Sequence, residues 1–113
     1  FYNVNVNNFG AFILIGGSGS RAYWKNESLH KIIKKFFVAK KVIAAICSSP
    51  ITLAKAGILQ NKKATCYSED KMELINSGID YQDKNVVVDG NVVTANDARS
   101  ALQFAEAVLH LTK

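Results

Sequence analysis

Two short runs, AFILI (11–15) and VIAAI (42–46), constrain the fold more than any other feature of this chain. Each is continuously apolar, too short for an ordinary helix and without the in–out alternation of a half-buried strand. Runs of this kind are expected of strands covered on both faces, as in parallel sheets flanked by helices. After each run the pattern changes. From Asn26 onward Leu29, Ile32, Ile33, Phe36 and Phe37 recur at helical spacing, with Asn26 or Ser28 as cap and Glu27 in the first turn. Beyond Cys47, residues 50–56 read as a short helix, with Pro50 suited to its first position and Gly57 placed to stop it.

The remainder continues the alternation. KATCY (63–67) reads as a third strand, and SEDKMELINSG as a helix capped by Ser68 and stopped by Gly78. NVVVDGNVVTA carries two valine-rich runs around Asp89-Gly90, the signature of a β-hairpin. A final helix is expected from about Asp97 to Leu111, with Leu102, Ala105, Val108 and Leu109 on one side. FYNVNVNNFG suggests a short extended segment ending at Gly10. The order β-α-β-α-β-α-hairpin-α predicts an α/β fold, a mostly parallel sheet with helices on both faces. Ligands of such sheets bind at the carboxyl ends of the strands, where the loop after Ile15 and the turn at Cys47 meet.

Composition narrows the function. A chain of 113 residues, 49% apolar, is one soluble globular domain, and no run reaches the length of a membrane span. Fourteen Lys and Arg against nine Asp and Glu give +5. Much of the excess is Lys31, Lys34, Lys35, Lys40 and Lys41, on or just after one amphipathic segment. Phe36 and Phe37 fall on the apolar stripe instead of interleaving with those lysines, so a solvated helix face is expected and nucleic acid and membrane partners are not. Cys47 and Cys66 form no CxxC, and His30 and His110 stand on separate helices without ligand spacing. No metal or cofactor is expected, and cysteine usage favours the reducing cytoplasm. The loop GGSGSRA approaches a dinucleotide fingerprint, but its helix starts too late and the next strand ends in Cys47 where an acid is required. Its glycines are better suited to a sharp turn that aims backbone amides into the crevice.

Cys47 is the residue to explain. Either it ends a core strand as a small hydrophobe, or the turn presents a thiol. Its strand-to-helix position is that of a nucleophile elbow. The helix start that follows favours a thiolate. Ser48 and Ser49 are small enough for backbone amides to approach a substrate or a cysteine oxide.

The blocks ILIGGSGSRAYW, VIAAICSSPITLAKAGIL, KKATCYSEDKMELINSG and NVVVDGNVVTANDARSALQFAEAVL run from about Phe9 to Leu111. In that order they resemble the ThiJ/PfpI superfamily, which includes the parkinsonism-associated deglycase. The resemblance implies a flavodoxin-like three-layer sandwich, a homodimer, and a cysteine on an elbow. Cys47 matches the reactive cysteine. Gly17 matches the second glycine of the family's Pro-Gly-Gly loop, and its amide with that of Ser48 would form an oxyanion pocket. Gly16, Tyr67, Cys66, Arg21 and Asp97 are further pocket candidates. Trp24 and Tyr23 are expected over the pocket or at a dimer contact.

Departures from the family pattern matter as much. Ser48 stands where the protease-like branch has histidine, which disfavours protease activity. Tyr67 replaces a histidine of some relatives, and Ile15 the loop proline. The family's first strand, helix and cysteine-bonded glutamate have no counterpart here. Residues 1–113 are therefore expected to be the C-terminal two-thirds of one domain, the rest being a second chain or polypeptide beyond these residues. The implied activity is attack of Cys47 on small carbonyl electrophiles, as in glyoxalases and deglycases, or its oxidation by peroxide as a stress sensor. The alternative is a non-enzymatic chaperone or interaction module. A glutamine amidotransferase would need a downstream His and Glu pair that the sequence lacks.

Overall fold

In the computed structural model, which describes residues 11–16 and 18–112, the two apolar runs lie side by side. Strand β1 (Ala11–Gly16) pairs in parallel with β2 (Val42–Cys47), from Ala11 opposite Val42 to Gly16 opposite Cys47. Beyond β2 the sheet continues with β6 (Val92–Ala95), also parallel, and closes with β5 (Val86–Asp89), antiparallel to β6. The order is β1-β2-β6-β5. The hairpin turns through Gly90 and Asn91, one residue later than the Asp-Gly pair suggested. Gly90 alone of the two has positive φ (62°), the glycine-first pattern of a type II′ loop.

Helices cover both faces, so the expected three-layer α/β arrangement is present. Helix α1 (Glu27–Val38) and α2 (Pro50–Lys55) pack on one side of β2, and α4 (Ala101–Thr112) on the other, against β2 and β6. Alternation along β2 divides the core: Ile43 and Ala45 face α1 and α2, whereas Val42, Ala44 and Ile46 face α4. On α1, Asn26 caps the helix by accepting the Leu29 N–H at 2.9 Å. Leu29, Ile32, Ile33 and Phe36 are buried there, and the Phe36 ring lies 5.1 Å from that of Phe12. Phe37, expected on the same stripe, is 40% exposed instead, because it falls at the stripe's edge beyond the reach of β1 and β2.

Four further expectations are corrected. The strand expected at 63–67 shrinks to β3 (Lys63–Ala64), which pairs with β4 (Asp80–Tyr81) in a separate two-stranded sheet. The hairpin already occupies the place beside β6, so this segment joins the main sheet through side chains. The Lys63 N–H donates to Asp89 Oδ2 at 2.8 Å, and the Thr65 N–H to Thr94 Oγ1 at 2.9 Å. Ser68 opens a 3₁₀ turn (Ser68–Asp70) and does not cap α3 (Lys71–Asn76). AFILI is covered on one face only: Phe12 and Leu14 pack toward α1, while Ile13 and Ile15 are exposed. Likewise Phe104 and Val108 anchor α4, and the expected stripe members Leu102, Ala105 and Leu109 are exposed, because no described layer covers that flank of β1. The segment FYNVNVNNFG and Gly17 lie outside the described residues.

Candidate functional site

Cys47 ends β2 with φ = 68°, in the left-handed region that costs a residue with a Cβ of order 1–2 kcal/mol. A strand running straight into α2 must reverse within Ser48 and Ser49, and the sharp turn at Cys47 accomplishes this. The backbone around it is pinned. The Tyr67 N–H donates to the Cys47 carbonyl at 2.7 Å, the Ser49 N–H to Ile46 O at 3.3 Å, and the Thr52 N–H to Ser49 O at 2.9 Å. The side chain of Cys47 is half-buried and borders a cavity of about 540 Å³. Ile13, Ile15 and Ile46 line its strand side, and Ala98, Phe104 and Leu109 its helix side.

Ser48 is wholly buried, and both of its polar ends beyond the amide are occupied. Its hydroxyl donates to Asp70 Oδ2 at 2.5 Å, and its carbonyl accepts the Trp24 indole N–H at 2.9 Å. Asp70 is itself only 3% exposed, so its charge needs compensation. Arg21 supplies it, with Nε at 3.0 Å and Nη2 at 2.8 Å from Oδ1. The Tyr67–Asp70 backbone bond at 2.9 Å orients the carboxylate's own turn.

The other candidates separate. Cys66 is buried with Sγ 3.4 Å from the Tyr67 carbonyl. Burial, and after it the Asp70 charge and the neighbouring Cys47, push its thiol up to about 12, so it stays protonated. Tyr67 reaches the elbow through its main chain. Asp97 caps the 3₁₀ turn Ala98–Ser100 by accepting the Arg99 N–H at 2.8 Å, and pairs with the Arg99 guanidinium at 2.9 Å. Hydrogen bonds from Arg99, side chain first, hold its carboxyl below the usual range. Asp97 thus stands at the cavity rim, beside the lining residue Ala98. Gly16 is opposite Cys47 in the β1–β2 ladder. His30 is partly buried, and its Nε2 lies 2.7 Å from the Trp24 carbonyl, which accepts from it.

Two residues escaped the sequence reading. Asp70 resembles any acid in a helix's first turn, and nothing local ties it to Ser48, 22 positions earlier. Trp24 was legible as an aromatic near the crevice but not as the donor that fixes the Ser48 carbonyl.

Comparison with known proteins gives this arrangement a context. The model of the DJ-1/PfpI family matches residues 1–111. An uncharacterized protein of Methanocaldococcus jannaschii is 45% identical over 96% of this chain and 54% of its own length. A deglycase of Pyrococcus abyssi is 40% identical over 84% of this chain and 57% of its own. The crystal structure of a ThiJ/PfpI domain protein from Brachyspira murdochii superposes with a TM-score of 0.93 at 33% identity, over 96% of this chain and 63% of that one. The chain spans little more than half the length of the curated relatives it matches.

Proposed function

The chain belongs to the DJ-1/PfpI family, and from that premise we propose that Cys47 is the reactive thiol of a protein acting on small carbonyl electrophiles, in the manner of its deglycase-named relatives. The observation that carries this reading is the left-handed backbone of Cys47 at the end of a buried strand. Strain of that kind persists where surrounding structure enforces it, and it gathers at functional positions. A core cysteine needs no such geometry.

In the proposed reaction the Cys47 thiolate adds to an aldehyde carbon. A carbon–sulfur bond forms, the carbonyl π pair moves to oxygen, and protonation of that oxygen gives a hemithioacetal. The amides of Ser48 and Gly17 would hold the developing oxyanion. Protease chemistry remains disfavoured: the residue after the cysteine is a serine whose hydroxyl is committed to Asp70, and a serine there offers the thiol no base. We infer that a proton acceptor for later steps, and cover for the exposed Ile13 and Ile15, would come from further polypeptide.

A second reading is favoured by the contrast between the cysteines. Peroxide would oxidise Cys47 to sulfenic acid, the thiolate attacking one peroxide oxygen and the other leaving as hydroxide or water. Buried, protonated Cys66 is shielded from the same attack. Methylglyoxal consumption by the whole protein and its Cys47→Ala variant tests the first reading: turnover is expected to fall to the uncatalysed rate, and equal rates would refute it. Peptide mass spectrometry after mild peroxide tests the second, with oxidation expected at Cys47 and not at Cys66.

A further inference from the structure

The elbow is fastened from behind by a chain of polar contacts that runs from the core to the surface. Ser48 and Asp70 are both buried, their side chains meet at 2.5 Å, and the partly exposed Arg21 closes on the far carboxylate oxygen through two nitrogens. A buried serine could satisfy its hydroxyl cheaply on a nearby carbonyl. Here it meets a carboxylate instead, which must be desolvated and neutralised by an arginine from the loop that follows β1. That expense calls for a reason.

We propose that Asp70 and Arg21 are positioning residues for Cys47: the carboxylate holds the Ser48 hydroxyl, and the guanidinium holds the carboxylate. Ser48 is the first residue after the left-handed turn, and its N–H shares a peptide plane with the Cys47 carbonyl, which the Tyr67 N–H holds at 2.7 Å. Its side chain is fixed by Asp70, and its own carbonyl, in the next peptide, by the Trp24 indole. Held on both sides of its Cα, Ser48 keeps one backbone conformation, and with it the direction of its amide relative to Cys47 Sγ. The Arg21 contact also links the loop after β1 to the turn after β2, the two segments whose amides flank the thiol in the reading above. Because Arg21 and Trp24 lie in the same 3₁₀ stretch and its continuation, that segment holds the Ser48 carbonyl directly and the Ser48 hydroxyl through Asp70.

This inference rests on Cys47 being the reactive thiol, but its test needs no turnover. Alkylation of Cys47 by iodoacetamide is measured by peptide mass spectrometry in the whole chain, at about pH 7 and at about pH 10, where most thiols have ionised. In Ser48→Ala and in Asp70→Asn the rate at the lower pH is expected to fall about three- to tenfold, as expected for one lost hydrogen bond to the reacting anion. The rate at the higher pH stays within about twofold, since thiolate formation no longer limits it. The double variant is no slower than either single one, because both break the same chain. Arg21→Lys retains most of the wild-type rate and Arg21→Gln does not.

The sign is decisive for Asp70. Were it only a nearby negative charge, its removal would favour the thiolate and speed alkylation at the lower pH. That result, or an unchanged rate in Ser48→Ala, overturns the proposal. Cys66 reports on folding within the same sample, since it is labelled only if the core opens. Should Asp70→Asn label at Cys66, the Ser48→Ala and Arg21→Gln comparison decides alone. Failure of the carbonyl reading looks different: turnover would survive Cys47→Ala while the alkylation pattern stood.

Discussion

At Cys47 and Cys66 the same side chain has two fates, and the backbone decides between them. Cys47 carries positive φ at the cavity edge; Cys66 sits fully buried in the other half of the core. The first is expected to respond to a substitution that usually harms strands. Cys47→Gly should unfold at higher urea concentration than Cys47→Ala, by up to about 1 kcal/mol, because glycine takes the left-handed conformation without the Cβ clash. The reverse order would mean that the turn is not strained. For Cys66 the linkage has a definite sign. The unfolded chain releases this proton near 9.0 and the folded one near 12, so the stability that Cys66 contributes is complete below about pH 9 and is lost as pH rises toward 12. Urea titrations at about pH 8 and about pH 10.5 should show the advantage of the wild type over Cys66→Ala shrinking at the higher value. Of these residues, Cys47 was legible because an apolar run stops at it and a proline follows. Asp70 was not, because a contact between a turn and an elbow leaves no trace in either segment's local pattern.

Three helices of this chain end in the same way, yet only two endings could be read from residue type. After α2, Gly57 (φ 86°) and, after α3, Gly78 (φ 83°) occupy the left-handed position. In each the glycine and the next residue reach back into the helix: the Gly57 N–H to Ala54 O at 3.1 Å with the Ile58 N–H to Leu53 O at 3.4 Å, and the Gly78 N–H to Ile75 O at 2.9 Å with the Ile79 N–H to Leu74 O at 3.3 Å. After α1 the identical pair of bonds forms, Lys40 N–H to Phe37 O and Lys41 N–H to Phe36 O, both at 3.0 Å. This is the Schellman arrangement in all three cases, but Lys40 holds it at φ = 60° with a side chain attached. Lys40→Gly is therefore expected to stabilise the protein by roughly 0.5–1 kcal/mol, and Gly57→Ala or Gly78→Ala to destabilise it by about as much or more. Apart from the adjoining residues, nothing lies within 4 Å of where a Cβ would stand at either glycine, so the cost there is that of the backbone alone. Thermal or urea midpoints of the three variants check the signs together. The elements themselves were readable wherever packing follows local periodicity, as at α1, or a turn residue marks an end. They were misread at 63–67, where the β propensity of Thr65 and Tyr67 says nothing of which neighbour is already taken by the hairpin.

The largest misreading concerns the molecule as a whole. A continuous apolar run was expected to mean cover on both faces, and for β2 it does. For β1 the same kind of run leaves Ile13 45% and Ile15 79% exposed, with Leu109 at 60% across the cavity. Sequence pattern records the environment in the working protein, and these 113 residues span little more than half of their curated relatives. The proposal that further polypeptide covers this flank has a quantitative consequence at Ile15. A side chain already in water loses little when shortened, so Ile15→Ala in the 113-residue chain should change stability by no more than about 0.5 kcal/mol. In a protein carrying the additional strand and helix the same substitution deletes buried methyl groups and should cost about 2–4 kcal/mol. Urea unfolding of both forms, each at two protein concentrations, separates the occupants. A large cost confined to the longer form, independent of concentration, assigns the flank to polypeptide in the same fold. If the cost appears in the 113-residue chain and grows with concentration, a second copy covers it, as the homodimer expectation would have it. Equal small costs in both would leave the apolar face of β1 outside the core altogether, and with it the cavity wall on which the Cys47 thiol opens.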